Sequence, residues 1–360
     1  MLSLIITLCT SFLITRLIIR THRIQRFNPH ALSTSSTQQF NFKNIPRIGG
    51  IGIFIALILG IITHYQSATL SPLLWQLPLL SLIPVSVGLG DDLTGKISIS
   101  TRLLGVCIAA FLVTFLLGIH ISRTGLPGVD ALLTYSAFSI LVTVFAITGL
   151  TNAYNIIDGF NGLSSMVGLL ALACISYLAF LLGDSEVLFL SLILSAAILG
   201  FFILNYPRGL IYLGDGGAYL IGFWIAVLSI WLVNNHPEVS PWFALLINAY
   251  PITETLFTIY RRLVFKKIHP LIGDRLHLHS LIYRRWLHTS TPKNERDLIV
   301  ANARTAPFLW VFNSITLIPV VLWWNQTAVL VVFFALYITF YVWIYQRLVT
   351  FRVPRGIFLN

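Results

Sequence analysis

The stretch Asn205-Tyr-Pro-Arg-Gly-Leu-Ile-Tyr-Leu-Gly214-Asp215-Gly216-Gly217 sets one carboxylate among three glycines, between two strongly apolar runs. Glycine lacks a Cβ and tolerates positive φ, so backbone there can approach a ligand closely. An acid in such a bend, at the edge of hydrocarbon, suits a hard divalent cation that also holds phosphate. The plainer reading is a Gly/Pro connector whose Asp caps the helix that follows.

Other residues could share that chemistry. Gly88-Leu89-Gly90-Asp91-Asp92 closes an apolar run and is followed by Lys96 and Arg102. Adjacent carboxylates repel unless a cation or basic group is near, so the pair needs a partner. At a helix C-terminus they would also oppose the macrodipole, which makes a merely solvated helix end less comfortable. Asn152, Asn155, Asp158 and Asn161 recur every third residue. In a helix they would form one polar ridge able to hydrogen-bond a base or sugar; otherwise they are a polar helix end with Asn/Gly capping. Farther on, Asp274-Arg275-Leu-His277-Leu-His279 precedes Arg284 and Arg285. Two His at i and i+2 do not share a helical face, so extended or loop backbone is expected. Imidazole and guanidinium suit diphosphate oxygens, whereas zinc would call for Cys or His-x-x-x-His spacing. A basic loop facing lipid headgroups is the competing reading. Pro46-Arg47-Ile48-Gly49-Gly50 opens another apolar run and alone reads as a common helix start.

The elements that must position these groups are membrane spans. Of 360 residues, 57% are hydrophobic and only 10% charged, with mean hydropathy +0.85. Apolar stretches near ~20 residues recur from end to end, which predicts an all-α polytopic membrane protein. Eleven spans are expected, at about 2–20, 48–64, 72–90, 102–120, 131–151, 163–182, 187–204, 216–234, 241–260, 306–324 and 327–346. The first is followed by Arg16, Arg20, Arg23 and Arg26 and reads as a span rather than a removed signal. With its basic end in the cytoplasm, the N-terminus lies outside and the C-terminus inside. This orientation puts 22 of the 23 Lys and Arg residues on the cytoplasmic side, Arg123 being the exception. The net charge of +11 is thus a topology signal, and no nucleic-acid partner is expected. The inner connections 21–47, 91–101, 152–162, 205–215 and 261–305 carry nearly every polar cluster. Cys9, Cys107 and Cys174 fall in apolar stretches and read as packing residues.

With these motifs in this order, the chain resembles the polyprenyl-phosphate N-acetylhexosamine-1-phosphate transferases, the MraY/WecA superfamily. The resemblance runs from about Pro46 to Arg285. It implies transfer of N-acetylhexosamine 1-phosphate from a UDP-amino sugar to undecaprenyl phosphate, with release of UMP. It implies Mg²⁺, or Mn²⁺ in its place, held by Asp215 with Asp91 and Asp92. Asp158 joins these three acids as a catalytic candidate. It places Asn155 and Asp158 at the nucleotide and His277 and His279 near the diphosphate, with Asn152, Asn161, Asn205, Asp274 and Arg275 as further substrate-binding candidates. Arg102 and Lys43 match basic positions facing phosphate. Asn161 stands where many relatives carry a second Asp, and Ser280 where WecA-type members have a further His; no run of adjacent His is present. These features favour the WecA-like branch, which begins surface glycans such as O-antigen or capsule. The expected organisation is one integral membrane unit in the cytoplasmic membrane, its catalytic core at about 43–285 and C-terminal helices at about 306–346. The core would face the cytoplasm, and a homodimer is compatible with this layout. A transporter for polyprenyl lipids or ions is the competing class, but it needs polar groups near the midplane, and the spans are nearly free of ionisable groups, Glu254 near one span end being the main exception. A binding protein that has lost activity is the third; the retained Asp215, Asp91 and Asp92 speak against it.

Overall fold

The computed structural model describes residues 1–25, 45–65, 73–266, 276–287 and 295–350. Lys43, Asp274 and Arg275 lie outside the described residues. Backbone amides and carbonyls in hydrocarbon must pair within the segment that carries them, so apolar runs of this length fold as helices. In chain order these are α1 (Leu2–Gln25), α2 (Gly49–Tyr65), α3 (Leu73–Thr94), α4 (Ile99–Leu117), α5 (Pro127–Leu133), α6 (Ser136–Ile157), α7 (Leu163–Leu182) and α8 (Ser185–Asn205). They continue as α9 (Gly214–Asn235), α10 (Trp242–Ile247), α11 (Ala249–Arg261), α12 (Leu278–Ile282), α13 (Glu295–Ser314), α14 (Leu317–Trp323) and α15 (Thr327–Val349). The described residues contain no strand.

The protein is an all-α polytopic membrane protein, with nine helical segments among the described residues long and apolar enough to cross a bilayer. Two of the eleven expected spans take other forms. The second is a short apolar helix, α2. The ninth breaks at Asn248 into α10 and α11, where the Asn248 side chain turns back to the Ala244 carbonyl. The tenth is continuous in hydropathy but also changes helix, from α13 to α14. Helix α3 runs on to Thr94, so Asp91 and Asp92 sit in its last turn rather than beyond it.

Helix α9 is the axis of the bundle. Its most apolar window is wholly buried by protein, against 28% for α1 and 17% for α15. It packs on α2, α3, α6 and α7. Two glycine crossings seat its N-terminus. A Cβ on Gly88 of α3 would lie 2.6 Å from the Gly216 amide nitrogen and 2.7 Å from the Asp215 carbonyl carbon, and one on Gly50 of α2 would meet the Gly217 backbone. The chain before α2 pairs with the connector before α9: Tyr212 N–H donates to Pro46 O (2.9 Å), Gly49 N–H to Tyr212 O (3.1 Å) and Gly50 N–H to Leu213 O (3.0 Å). Because backbone cannot yield as a flexible side chain does, Gly88→Val should destabilise the fold by ~1–3 kcal/mol or more. The check is the melting temperature of the purified protein, with Gly88→Ala expected to fall between Val and wild type.

Candidate active site

The first turn of α9 brings the acidic motifs together. Asp92, at the end of α3, accepts the backbone N–H groups of Asp215 (2.9 Å) and Gly216 (3.0 Å), one on each carboxylate oxygen. The cap of α9 is therefore supplied by another helix, and the positive end of the α9 dipole offsets the discomfort of an acid at the α3 C-terminus. Asp215 does not cap its own helix, which leaves its side chain free for other work. Arg102, near the start of α4, places Nη1 2.9 Å from Asp91 Oδ2 and pairs by the same nitrogen with Asp215 Oδ2. The other oxygen of Asp91 accepts the Ile97 N–H at 3.1 Å. Arg102, Asp91 and Asp215 are only 12%, 21% and 15% exposed, so water screens their charges weakly.

These groups fit a hard cation. Two carboxylates from different helices converge on one positive nitrogen, and Mg²⁺ is usually held by one or two carboxylates plus substrate phosphates. Among the described residues no group of three or more His, Cys, Asp or Glu forms a self-sufficient metal cage. A cation held here would need further oxygens, beyond these two carboxylates, to complete its coordination. Asp92 differs from the other two acids, because each of its oxygens already receives a backbone amide.

Beside this cluster lies a pocket lined by Arg47, Asp158, Asn161, Asn205, Tyr212 and the 213–214 backbone. Arg47 comes from the Pro-Arg-Ile-Gly-Gly segment, carried in by its backbone pairing with Tyr212. Its Nε is buried without a hydrogen bond, and its charge acts on both Asp92 and Asp158. Sequence reasoning treated that segment as a helix start and missed Arg47 as a site residue. Its signal was that it is the one charged residue in a motif otherwise made of Pro, Ile and Gly.

The ridge expected from Asn152 to Asn161 is not helical throughout. Helix α6 ends at Ile157, Asp158 is its C-cap, and Gly162 turns the chain with φ 73° before α7. Two glycines within five residues end the helix, as their backbone freedom favours. Asn152 and Asn155 thus stay half-buried on α6, while Asp158 and Asn161 line the pocket from the turn. The side chain of Asn205 links the backbone of two segments, Oδ1 accepting the Gly162 N–H (2.6 Å) and Nδ2 donating to Ile211 O (2.7 Å). The turn is braced from beyond the expected core: Asn302 of α13 accepts the Asn161 N–H at 2.9 Å, and Trp310 Nε1 donates to Gly162 O at 3.1 Å. Neither Asn302 nor Trp310 stands in a motif, so only the packing of α13 discloses them.

Burial pushes the Asp158 carboxyl from 3.8 up to about 7, with Arg47 partly opposing the rise. The folded protein then holds a proton that the unfolded chain has already released. The group's stabilising contribution is complete below 3.8 and is lost as pH rises through about 7. Asp158→Asn should therefore raise the melting temperature relative to wild type more at pH 8 than at pH 5, as a thermal-unfolding series would show.

The His motif adopts two backbone states rather than one extended loop. His277 is extended (φ −66°, ψ 151°) as the N-cap of α12, and His279 lies in that helix's first turn. The rings still stack, with centroids 5.2 Å apart and 17° between planes. His279 is buried edge-on against Phe160, and a Cβ on Gly159 would sit 3.0 Å from its Nε2. Burial, with His277 adding to it and Glu254 opposing, holds His279 down at about 3, so it is neutral at pH 7. His279 therefore backs the turn that carries Asp158 and Asn161.

Fold and site define a class: a polytopic α-helical membrane protein with a cation-ready acidic cluster at the start of a buried central helix, next to a polar pocket. Residues 74–233, which contain Asp91, Asp92, Arg102, Asp158 and Asp215, match the family described as Glycosyl transferase family 4. The chain is 29% identical over 260 residues to the "Probable undecaprenyl-phosphate N-acetylglucosaminyl 1-phosphate transferase" of Bacillus subtilis (strain 168), covering 69% of this chain and 68% of that protein. It is 28% identical over 305 residues to the "Undecaprenyl-phosphate alpha-N-acetylglucosaminyl 1-phosphate transferase" of Yersinia pestis (81% and 79%), and 29% over 260 residues to that of Escherichia coli (strain K12) (67% and 65%). These matches support the superfamily that the motifs resemble, the polyprenyl-phosphate N-acetylhexosamine-1-phosphate transferases.

Proposed function

We propose that the protein transfers N-acetylhexosamine 1-phosphate from a UDP-sugar to a polyprenyl phosphate of the undecaprenyl type. An oxygen of the lipid phosphate forms a bond to the sugar-bearing phosphorus of the UDP-sugar, the bond from that phosphorus to UMP breaks, and UMP leaves. The observation that carries this reading is the convergence of Asp91, Asp215 and Arg102 at the N-terminus of α9, with Arg47 and Asp158 in the adjoining pocket. N-acetylglucosamine is the first sugar to test, because the relatives above are named for it.

Attack of one phosphate on a diphosphate crowds negative charge, so the site must position reactants and neutralise them. A phosphate monoester has a second pKa of ≈ 6 and is largely deprotonated at neutral pH, so no general base is required to make it a nucleophile. Asp215 and Asp91 would hold Mg²⁺ or Mn²⁺, which when bound supplies charge neutralisation for the diphosphate. Asp92 fixes the first turn of α9 so that Asp215 keeps its direction. Arg102 holds the two carboxylates together and is placed to turn toward phosphate. Arg47, Asp158 and Asn161 offer charge and hydrogen bonds to the nucleotide. The distribution of Lys and Arg supports a cytoplasm-facing site in the cytoplasmic membrane, N-terminus outside, with the lipid phosphate arriving sideways between helices. Its product would begin a surface glycan such as O-antigen or capsule.

The test offers membranes containing the protein a panel of radiolabelled UDP-sugars with undecaprenyl phosphate and Mg²⁺. Label entering the lipid phase with stoichiometric UMP, reversed by added UMP, is the expected result. Absence of lipid-linked label with every UDP-sugar would refute the reading.

A further inference from the structure

Glu254 of α11 is completely buried (0% exposed), yet nothing in the transfer step described above uses it. An acid in such surroundings persists only where partners compensate for lost hydration, and it marks a functional position when they belong to a site. Its hydrogen-bond partners come from the segment that opens α12. His277 Nδ1 is 3.0 Å from Oε1, and the Leu278 N–H at the start of α12 donates to Oε2 at 3.1 Å. The Tyr250 hydroxyl lies 3.2 Å from His279 Nδ1, and Thr258 Oγ1 is 3.3 Å from His277 Nδ1. Farther along α15, Tyr345 donates its hydroxyl proton to Leu276 O at 3.1 Å.

This network orients the His pair. We propose that Glu254 is a positioning residue for the transfer reaction, holding His277 by Nδ1 so that Nε2 is the nitrogen offered to the substrate diphosphate. A carboxylate accepts a hydrogen bond and cannot donate one, so it selects the ring form with the proton on Nδ1. Nε2 is then an acceptor in the neutral ring and a donor in the imidazolium. In the doubly protonated ring the Nε2–H can donate to a phosphate oxygen. Tyr345 of α15 holds the Leu276 carbonyl beside His277, so α15 becomes part of the ring's frame. The role rests on the transferase reading together with the family resemblance, which implies that the His pair lies near the diphosphate.

The experiment compares Glu254→Gln, His277→Asn, the double variant and Glu254→Asp in the purified full-length protein. Three quantities are read: kcat and KM for UDP-N-acetylglucosamine with undecaprenyl phosphate, melting temperature, and the rate at which diethyl pyrocarbonate modifies His277, followed by peptide mass spectrometry. Glu254→Gln should lower kcat ~10- to 100-fold, the range for loss of a partner that orients a functional His. KM and melting temperature should stay close to wild type. The double variant should be no worse than His277→Asn alone, because the two residues act as one unit, and Glu254→Asp should recover part of kcat. Modification of His277 should become several-fold faster in Glu254→Gln, as its Nδ1 loses a charged partner. Multiplying losses in the double variant, or a kcat loss that follows the melting temperature, would reduce Glu254 to a structural brace and overturn the proposal. An unchanged His277 modification rate would overturn it whether or not the protein transfers sugar. A wild-type protein without transfer activity, but with His277 modification still accelerated by Glu254→Gln, would overturn the transferase reading and with it the reaction assigned to Glu254.

Discussion

Replacing Asp215 with Asn is expected to abolish transfer, lowering kcat by about 10²–10³-fold or more, while the protein inserts and folds as wild type does. The separation of effects follows from the division of labour between two neighbouring acids. The first-turn amides of α9 are capped by Asp92, so the backbone at 215 does not depend on the Asp215 carboxylate. An amide of the same shape therefore leaves the turn intact. What it removes is a negative charge facing Asp91 across Arg102, and with it one of the two oxygens able to hold a divalent cation firmly. Asp92→Asn should behave differently, because a side-chain amide has only one acceptor for two backbone N–H groups; it should lower the melting temperature as well as the rate. Purified variants assayed for UMP release and lipid-linked label, alongside thermal unfolding, distinguish the two. Turnover near wild type in Asp215→Asn would remove the metal role assigned to this residue.

Removing divalent cations is expected to have an equally large effect, taking transfer to background, with Mg²⁺ restoring it and Mn²⁺ substituting. The reason is charge. Asp91 and Asp215 already engage Arg102, and Asp92 and Asp158 face Arg47, so neither arginine is left as an uncompensated positive charge. A diphosphate and a lipid phosphate cannot be brought into such surroundings unless a cation accompanies them. The measurement is activity after chelation and dialysis, followed by titration with each metal. A rise in melting temperature on adding Mg²⁺ to the substrate-free protein would report binding by the two carboxylates alone. Activity that survives complete depletion would count against any metal in the reaction.

Much of this molecule can be read from its residues in order. Hydropathy alone dictates the helices, because lipid leaves the backbone no other way to pair its polar groups, and runs of apolar residues mark where they lie. The acids at 91, 92 and 215 could be singled out because a carboxylate bordering hydrocarbon is costly and so needs a reason to be there. Local chemistry did not disclose who satisfies whom. Asp92 capping α9, Arg102 joining Asp91 to Asp215, and Arg47 reaching the Asp158 pocket all connect residues far apart in the chain. Those partnerships exist because glycines at 50, 88, 216 and 217 let three helices touch backbone to backbone, and a glycine in a sequence does not say what it touches.

The same distinction explains the misread segments. A three-residue spacing of Asn and Asp looked like a helical ridge, but where α6 stops depends on Gly159 and Gly162 and on the support that Asn302 and Trp310 give to the turn from α13. His277 and His279 could be named as a pair from their spacing; that they stack, one extended and one helical, follows from the buried Glu254 beneath them. Composition and order thus determined that the chain is a helical membrane protein and which side chains are chemically out of place in it. Only the tertiary structure decided which of them meet, since pairing across helices depends on close packing between surfaces that no local pattern encodes.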